Sequence, residues 1–251
     1  MTPTDYDGIA GLYDSYAVWD HDVAFFVDQA RRVAGPVLEL MAGTGRVSLP
    51  LAEAGVRLTC VDASAGMLAV LSRKLAARGL HADVVHADVR ALALPAAFDL
   101  ALLPFNAFME LVTEADQRAA LAAVAACLRP GGRFVCTLHN PAVRRTAVDG
   151  TLRVVGRFPA EGGTLVVSGF ETGGAPVVTR LQFFELFGDD EALRWKRMVE
   201  MRFALIERAA FEAEATGAGF RVVDLFGGYD RSPFDPATSP SMIWILDRAA
   251  A

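Results

Sequence analysis

Basic charge is scarce in this chain: 24 lysines and arginines stand against 30 aspartates and glutamates, a net charge of −6. A general nucleic-acid binder needs a basic surface to neutralise phosphates, so no nucleic-acid partner is expected. Cysteine is equally sparse. Cys60, Cys127 and Cys136 sit in apolar runs without CxxC spacing, which predicts buried, reduced thiols rather than a disulfide framework. His81 and His86 have no partner at metal-ligand spacing, so no metal site is expected. A long uncharged apolar run is also missing. The greasiest stretch, 95–112, approaches the length of a membrane span, but Asp99, Asn106 and Glu110 interrupt it. The opening residues Met1-Thr2-Pro3-Thr4-Asp5 carry no basic region followed by an apolar one. The expectation is a soluble cytoplasmic protein with no membrane partner.

Apolar residues, by contrast, are abundant. They make up 53% of the 251 residues, with 22% charged, enough to bury a sizeable core. From about 36 to 140, short apolar runs alternate with helical segments, the pattern of parallel βαβ units. Strands are expected at Val37–Leu40, Leu58–Val61, Asp83–His86, Phe98–Leu103 and Arg133–Leu138. Ser64 can cap a helix carrying Met67, Leu68, Leu71 and Leu75 on one face, and Gly79 ends it. Thr113 with Asp116 resembles a capping box, and Pro130-Gly131-Gly132 stops the helix that follows.

The style then changes. Thr151–Phe158, Thr164–Phe170, Val177–Phe187 and Leu193–Phe203 read as strands separated by Gly-rich or acidic turns, an antiparallel meander. A helix over 207–216 and strands at Arg221–Phe226 and Ser241–Asp247 close the chain. The expected organisation is therefore one α/β domain over 1–150 and 204–251, with an antiparallel β subdomain inserted at 151–203. Leu181 to Phe187 puts apolar residues on both faces of that insertion. One face can cover an acceptor pocket, and the other can form a homodimer interface or pack on the core. Arg180, Arg194 and Arg197 can bind an acidic acceptor group or simply be solvated.

Glycines after a first strand let backbone approach a ligand closely, and here the loop reads Glu39-Leu40-Met41-Ala42-Gly43-Thr44-Gly45. A dinucleotide site wants G-x-G-x-x-G, because pyrophosphate must sit against the helix N-terminus. Aligned on Gly43 and Gly45, the third glycine position holds Ser48, so that fingerprint fails. A phosphate-free adenosyl cofactor needs less: close backbone approach, an acid for the ribose hydroxyls and an apolar slot for adenine. Asp62 ends the second strand, Asp88-Val89 follow the third, and Met67 lies on the helix after Asp62. All lie at carboxyl ends of parallel strands, where open α/β sheets bind ligands.

In order and spacing these segments resemble the class I S-adenosylmethionine-dependent methyltransferases. Val37 to Arg46 is similar to the family's first motif, Val61-Asp62-Ala63-Ser64 to the ribose motif and His86-Ala87-Asp88-Val89 to the adenine motif. Phe98 to Asn106 resembles the fourth motif, Leu128 to Phe134 the turn into strand five, and Tyr6 to Asp14 the helix that closes over the cofactor. One departure is Met41, where the first motif usually has glycine.

The resemblance implies a Rossmann-like seven-stranded sheet in the order 3-2-1-4-5-7-6 with strand 7 antiparallel. It implies S-adenosylmethionine as cofactor and S-adenosylhomocysteine as product. On the matching positions it assigns Tyr13, Glu39, Ala42, Gly43, Gly45, Asp62, Ala63, Met67, Asp88, Val89 and Leu103 to the cofactor. Tyr16, Asn106, Asn140 and Tyr229 are candidates for the acceptor, and His139 for a base or acceptor contact. The reaction expected is methyl transfer to an N or O nucleophile of a small-molecule metabolite. Splitting of the cofactor with release of methylthioadenosine, or a non-catalytic binding role, are the alternatives.

Overall fold

Strands that alternate their apolar side chains between two helical layers form the centre of the molecule. The computed structural model describes residues 4–249, so the Met1 to Pro3 part of the N-terminal reading lies outside the described residues. After a 3₁₀ turn at Asp7–Ile9 come α1 (Ala10–Tyr16), α2 (Val23–Arg31), β1 (Val37–Leu40), α3 (Ser48–Glu53), β2 (Leu58–Asp62), α4 (Ala65–Ala77) and β3 (Asp83–His86). The chain continues through β4 (Phe98–Leu103), α5 (Glu114–Cys127), β5 (Leu128–His139) and α6 (Pro141–Thr146). Four strands follow: β6 (Arg153–Ala160), β7 (Gly163–Gly174), β8 (Val177–Phe187) and β9 (Leu193–Ala204). The chain ends with α7 (Arg208–Gly217), β10 (Phe220–Phe226) and β11 (Ser241–Arg248).

The large sheet runs β3-β2-β1-β4-β5-β11-β10. Its first five strands are parallel, and β11 is antiparallel to both of its neighbours. This is the expected order. Side chains alternate across it with the period of two that strands impose. Leu38, Leu40, Ala101, Leu103, Phe134 and Trp244 meet α5 and α7 on one face. Val37, Cys60, Leu100, Leu102, Val135 and Ile243 meet α2, α3 and α4 on the other. Burial on both faces explains why these strands read as continuous apolar runs.

Local signals terminate the elements as expected. Ser64 accepts from the Met67 N–H at 3.1 Å and caps α4, while Gly79 takes φ +62° just past its end. Thr113 accepts from the Asp116 N–H and caps α5. Strand five differs from expectation. It begins at Leu128, because Leu128 pairs with Phe98 before a bulge at Gly131-Gly132 resets the register to Leu100–Arg133.

The second sheet is a four-stranded meander, β6-β7-β8-β9. Its inner face (Leu165, Val167, Phe184, Val199 and Met201) packs against Ile9, Tyr16 and Ala17 of the N-terminal segment. On the other face Phe183 stacks near Phe170 and lies under Lys196. No helix among the described residues is long and apolar enough to cross a membrane.

Candidate functional site

The carboxyl ends of β1 to β5, the N-terminal segment and the small sheet together enclose a cavity of about 1190 Å³. Its first wall is the loop after β1. Met41 adopts φ +53°, a left-handed conformation that side chains other than glycine rarely take. The turn geometry of the first motif is thus kept, and Met41 places its side chain on the cavity wall. Gly43 is also left-handed, and a Cβ added there would meet nothing within 4 Å. That gap is a cradle open to a ligand.

The Gly43 N–H donates to Asp62 Oδ2 at 2.7 Å, and the Ser64 N–H to Asp62 Oδ1 at 2.8 Å. Burial raises the Asp62 pKa against the pull of these bonds. The Ala63 N–H pulls on the same carboxylate, and the lone pairs these amides leave over remain for a ligand. Ala63, Met67, Asp88 and Val89 line the same end, and Tyr13 closes over it. Asp88 is less free than the sequence suggests. Its carboxylate accepts from the Arg90 N–H at 2.9 Å and from the Arg90 guanidinium, which also holds Asp116.

At the other end stand Tyr16, Asn106, His139 and Tyr229. Phe105 and Asn106 are consecutive left-handed residues following β4. The Asn106 N–H donates to Thr137 Oγ1 at 3.0 Å, and its Oδ1 is buried without a partner. His139 ends β5, its N–H directed at Met109 Sδ. Burial, and then the nearby Arg144 and Arg180, push its pKa down to about 4, so the ring is neutral at pH 7. Trp19 and His21 also reach this wall.

Five residues assigned from the resemblance do not reach the cavity wall. Glu39 alternates with Leu38 and Leu40, so it points into the α2–α4 layer, where Ser48 donates to it at 2.6 Å. There it is 1% exposed, and burial raises its pKa to about 8. Ala42 is buried and donates its N–H to the Val61 carbonyl. Gly45 is needed for packing: at φ +89°, a Cβ would come within 2.4 Å of Leu71 Cδ1. Leu103 belongs to the α5–α7 core. Asn140 uses its whole amide locally. It caps α6 through the Ala142 N–H and donates to the carbonyls of Pro236 and Ser239.

Further residues stand on or beside the wall. The Tyr6 hydroxyl donates to Glu110 Oε1 at 2.8 Å across 104 residues. Burial, with a contribution from Asp62, lifts the Glu110 pKa to about 7. Arg144 of α6 and Arg180 of β8 both reach Glu171 of β7. No motif spans these pairs. Arg180 carried a signal as an arginine on the inserted meander, and Glu110 as a residue following the fourth strand.

Known proteins point the same way as this geometry. Residues 37–132 match the model of a methyltransferase domain. A cypemycin N-terminal methyltransferase from Streptomyces is 29% identical over 84% of this chain and 82% of its own length. A glycine/sarcosine/dimethylglycine N-methyltransferase from Actinopolyspora halophila is 33% identical over 53% of this chain, a match covering 25% of that longer protein. The solved structure of the CcbJ methyltransferase from Streptomyces caelestis superposes with a TM-score of 0.76 at 26% identity, covering 96% of this chain and 98% of its own. The open cradle at Gly43, the Asp62 carboxylate beside it and the apolar slot at Met67 and Val89 fit an adenosyl cofactor without phosphates. Residues 37–132 thus form a methyltransferase domain, and the chain is an S-adenosylmethionine-dependent methyltransferase in its fold and cofactor site.

Proposed function

We propose that the protein methylates a nitrogen of a small molecule in this cavity. The observation that carries the reading is His139, a half-buried imidazole held neutral at pH 7 that shares one cavity with the Gly43–Asp62 cradle. When bound there, S-adenosylmethionine supplies a methyl group already activated by its sulfonium. The protein then has to hold the nucleophile in line and exclude water. An alcohol needs a strong base, and an imidazole with a pKa of about 4 is too weak for that role. An amine needs only a hydrogen-bond acceptor that orients its lone pair, which neutral His139 provides. The relatives whose names specify an N-terminal or N-methyl acceptor support the same choice.

Asp62 is assigned to the ribose hydroxyls through its unused lone pairs, Met67 and Val89 to the faces of adenine, and Gly43 to close backbone approach. Asp88 keeps about one lone pair for the adenine amino group, the rest being taken by Arg90. Tyr13 and Tyr16 close the roof under the small sheet, and Asn106 and Tyr229 border the acceptor. The test is incubation with S-adenosylmethionine and a pool of small amines and alcohols, read by mass spectrometry. The expected result is one methyl gained by amines, with S-adenosylhomocysteine formed only when acceptor is present. Methylthioadenosine released without acceptor, or gain on alcohols alone, would overturn the reading.

A further inference from the structure

We infer that Trp19 and Phe105 form a subsite for an uncharged aromatic ring, so that the molecule methylated here is an amine carrying such a ring; this rests on the N-methyl reading above. Both side chains line the cavity, yet they stay 44% and 38% exposed. Side chains of that kind border its opening. Neither belongs to any of the hydrophobic cores. Single exposed apolar residues are ordinary on a protein surface, whereas adjoining ones at the rim of a cavity mark a contact site. The two ring centroids are 6.1 Å apart with their planes at 41°, close enough for one flat ligand ring to touch both.

A second observation is the way the two rings are held. Arg46, at the end of the loop after β1, donates through Nη1 to the Trp19 carbonyl at 2.9 Å. It grips Asp22 through Nη1 and Nη2, and its guanidinium lies 4.6 Å from the Phe105 ring centroid. A buried ion pair adds little net stability; here it fixes both rings. Its charge is spent on Asp22, so the rim offers ring surface rather than an ion, which suits an uncharged aromatic group. Phe105 and Asn106 take φ +61° and +59°, costly conformations that cluster at functional sites. They set the open ring next to the buried, unpartnered Asn106 Oδ1. A ligand ring on Trp19 and Phe105 thus brings an N–H a few bonds away to Asn106 and on toward His139. The cavity of about 1190 Å³ exceeds the roughly 300–1,000 Å³ of a single small-molecule site, leaving room for such an acceptor beside the cofactor.

The test titrates the protein saturated with S-adenosylhomocysteine with 2-phenylethylamine by calorimetry, with 2-cyclohexylethylamine as the saturated control. The aromatic amine is expected to bind about fivefold tighter. Arg46 meets Trp19 through its backbone carbonyl, so W19A removes the ring and keeps the clamp. W19A should weaken 2-phenylethylamine about tenfold and abolish the preference, with W19F retaining most of the affinity. Equal affinities for the two amines, no saturable binding of 2-phenylethylamine, or an undiminished preference in W19A would overturn the inference. A companion transfer assay compares aromatic with aliphatic amines. Methylation of both alike overturns the ring subsite and leaves N-methyl transfer standing. Binding of 2-phenylethylamine that depends on Trp19, with no transfer to any amine, overturns the N-methyl reading and supports the ring subsite.

Discussion

The two sheets of this molecule build the two ends of one cavity by different means. The large sheet places Asp62, Ala63, Asp88 and Val89 by position alone, because parallel strands all end on the same edge. Its loops are local: Asp62 is held by Gly43 and Ser64 close to it in space and at neighbouring strand ends. The small sheet contributes side chains that meet only through tertiary packing, as Arg180 of β8 does with Glu171 of β7 and Arg144 of α6. The first end carries Asp62 and Asp88, and the second brings Arg144 and Arg180 together on Glu171.

Separate duties for the two ends can be broken by substitution. The largest effect is expected for His139→Ala, with turnover falling about 100-fold and cofactor affinity changing less than about threefold in calorimetry. Equal losses in both would erase the division. Within the cofactor loop, Gly45→Ala should destabilise by about 2–4 kcal/mol in urea unfolding, from left-handed strain together with overpacking against Leu71. Gly43→Ala has open space around its Cβ and should cost only about 1–2 kcal/mol of stability, for the same strain, while weakening cofactor binding. Similar stability losses in both variants would contradict the assignment of one glycine to packing and the other to the ligand.

The smaller effects lie in pH dependence, where the ends differ in sign. Glu110 has a raised folded pKa of about 7, so the folded state binds the extra proton. Its contribution to stability is present below the ordinary glutamate range and is lost as pH rises toward 7. His139 has a depressed folded pKa of about 4. Its contribution is present above the ordinary histidine value near 6.5 and is lost as pH falls toward 4. Glu110→Gln should therefore make stability rise more steeply with pH between about 4.5 and 6.5, and His139→Gln should make it rise less. Each change is about 1–3 kcal/mol across its window in denaturant titrations. Burial, the first cause of both shifts, raises the acid and lowers the base, so slopes changed in the same sense would contradict it at one of the two groups.

The sequence was a good guide wherever one element carried the information. Val37–Leu40, Asp83–His86, Phe98–Leu103 and the Ser64 and Thr113 caps appear where periodicity and cap chemistry put them. The strand order follows the family pattern. What a motif could not convey was which way a side chain turns within it. Glu39, Ala42, Gly45 and Leu103 belong to the right segments but face the helical layers. Asn140 sits at the right edge, yet cap and loop carbonyls consume its amide. Tyr6 with Glu110 and Arg144 with Glu171 are partners distant in sequence, so their pairing emerges only from packing. Met41 is the reverse case: the departure from glycine was visible, but only the backbone showed that its left-handed turn survives.

The most direct test of this account is a calorimetric titration of S-adenosylmethionine into the wild-type protein and Asp62→Ala. The carboxylate is proposed to bind two ribose hydroxyls while ordering the Gly43 and Ser64 amides. The wild type should saturate at one site per chain, and the variant, still folded, should bind about 100-fold more weakly. Wild-type affinity in a folded Asp62→Ala would contradict the placement of the cofactor on the large sheet.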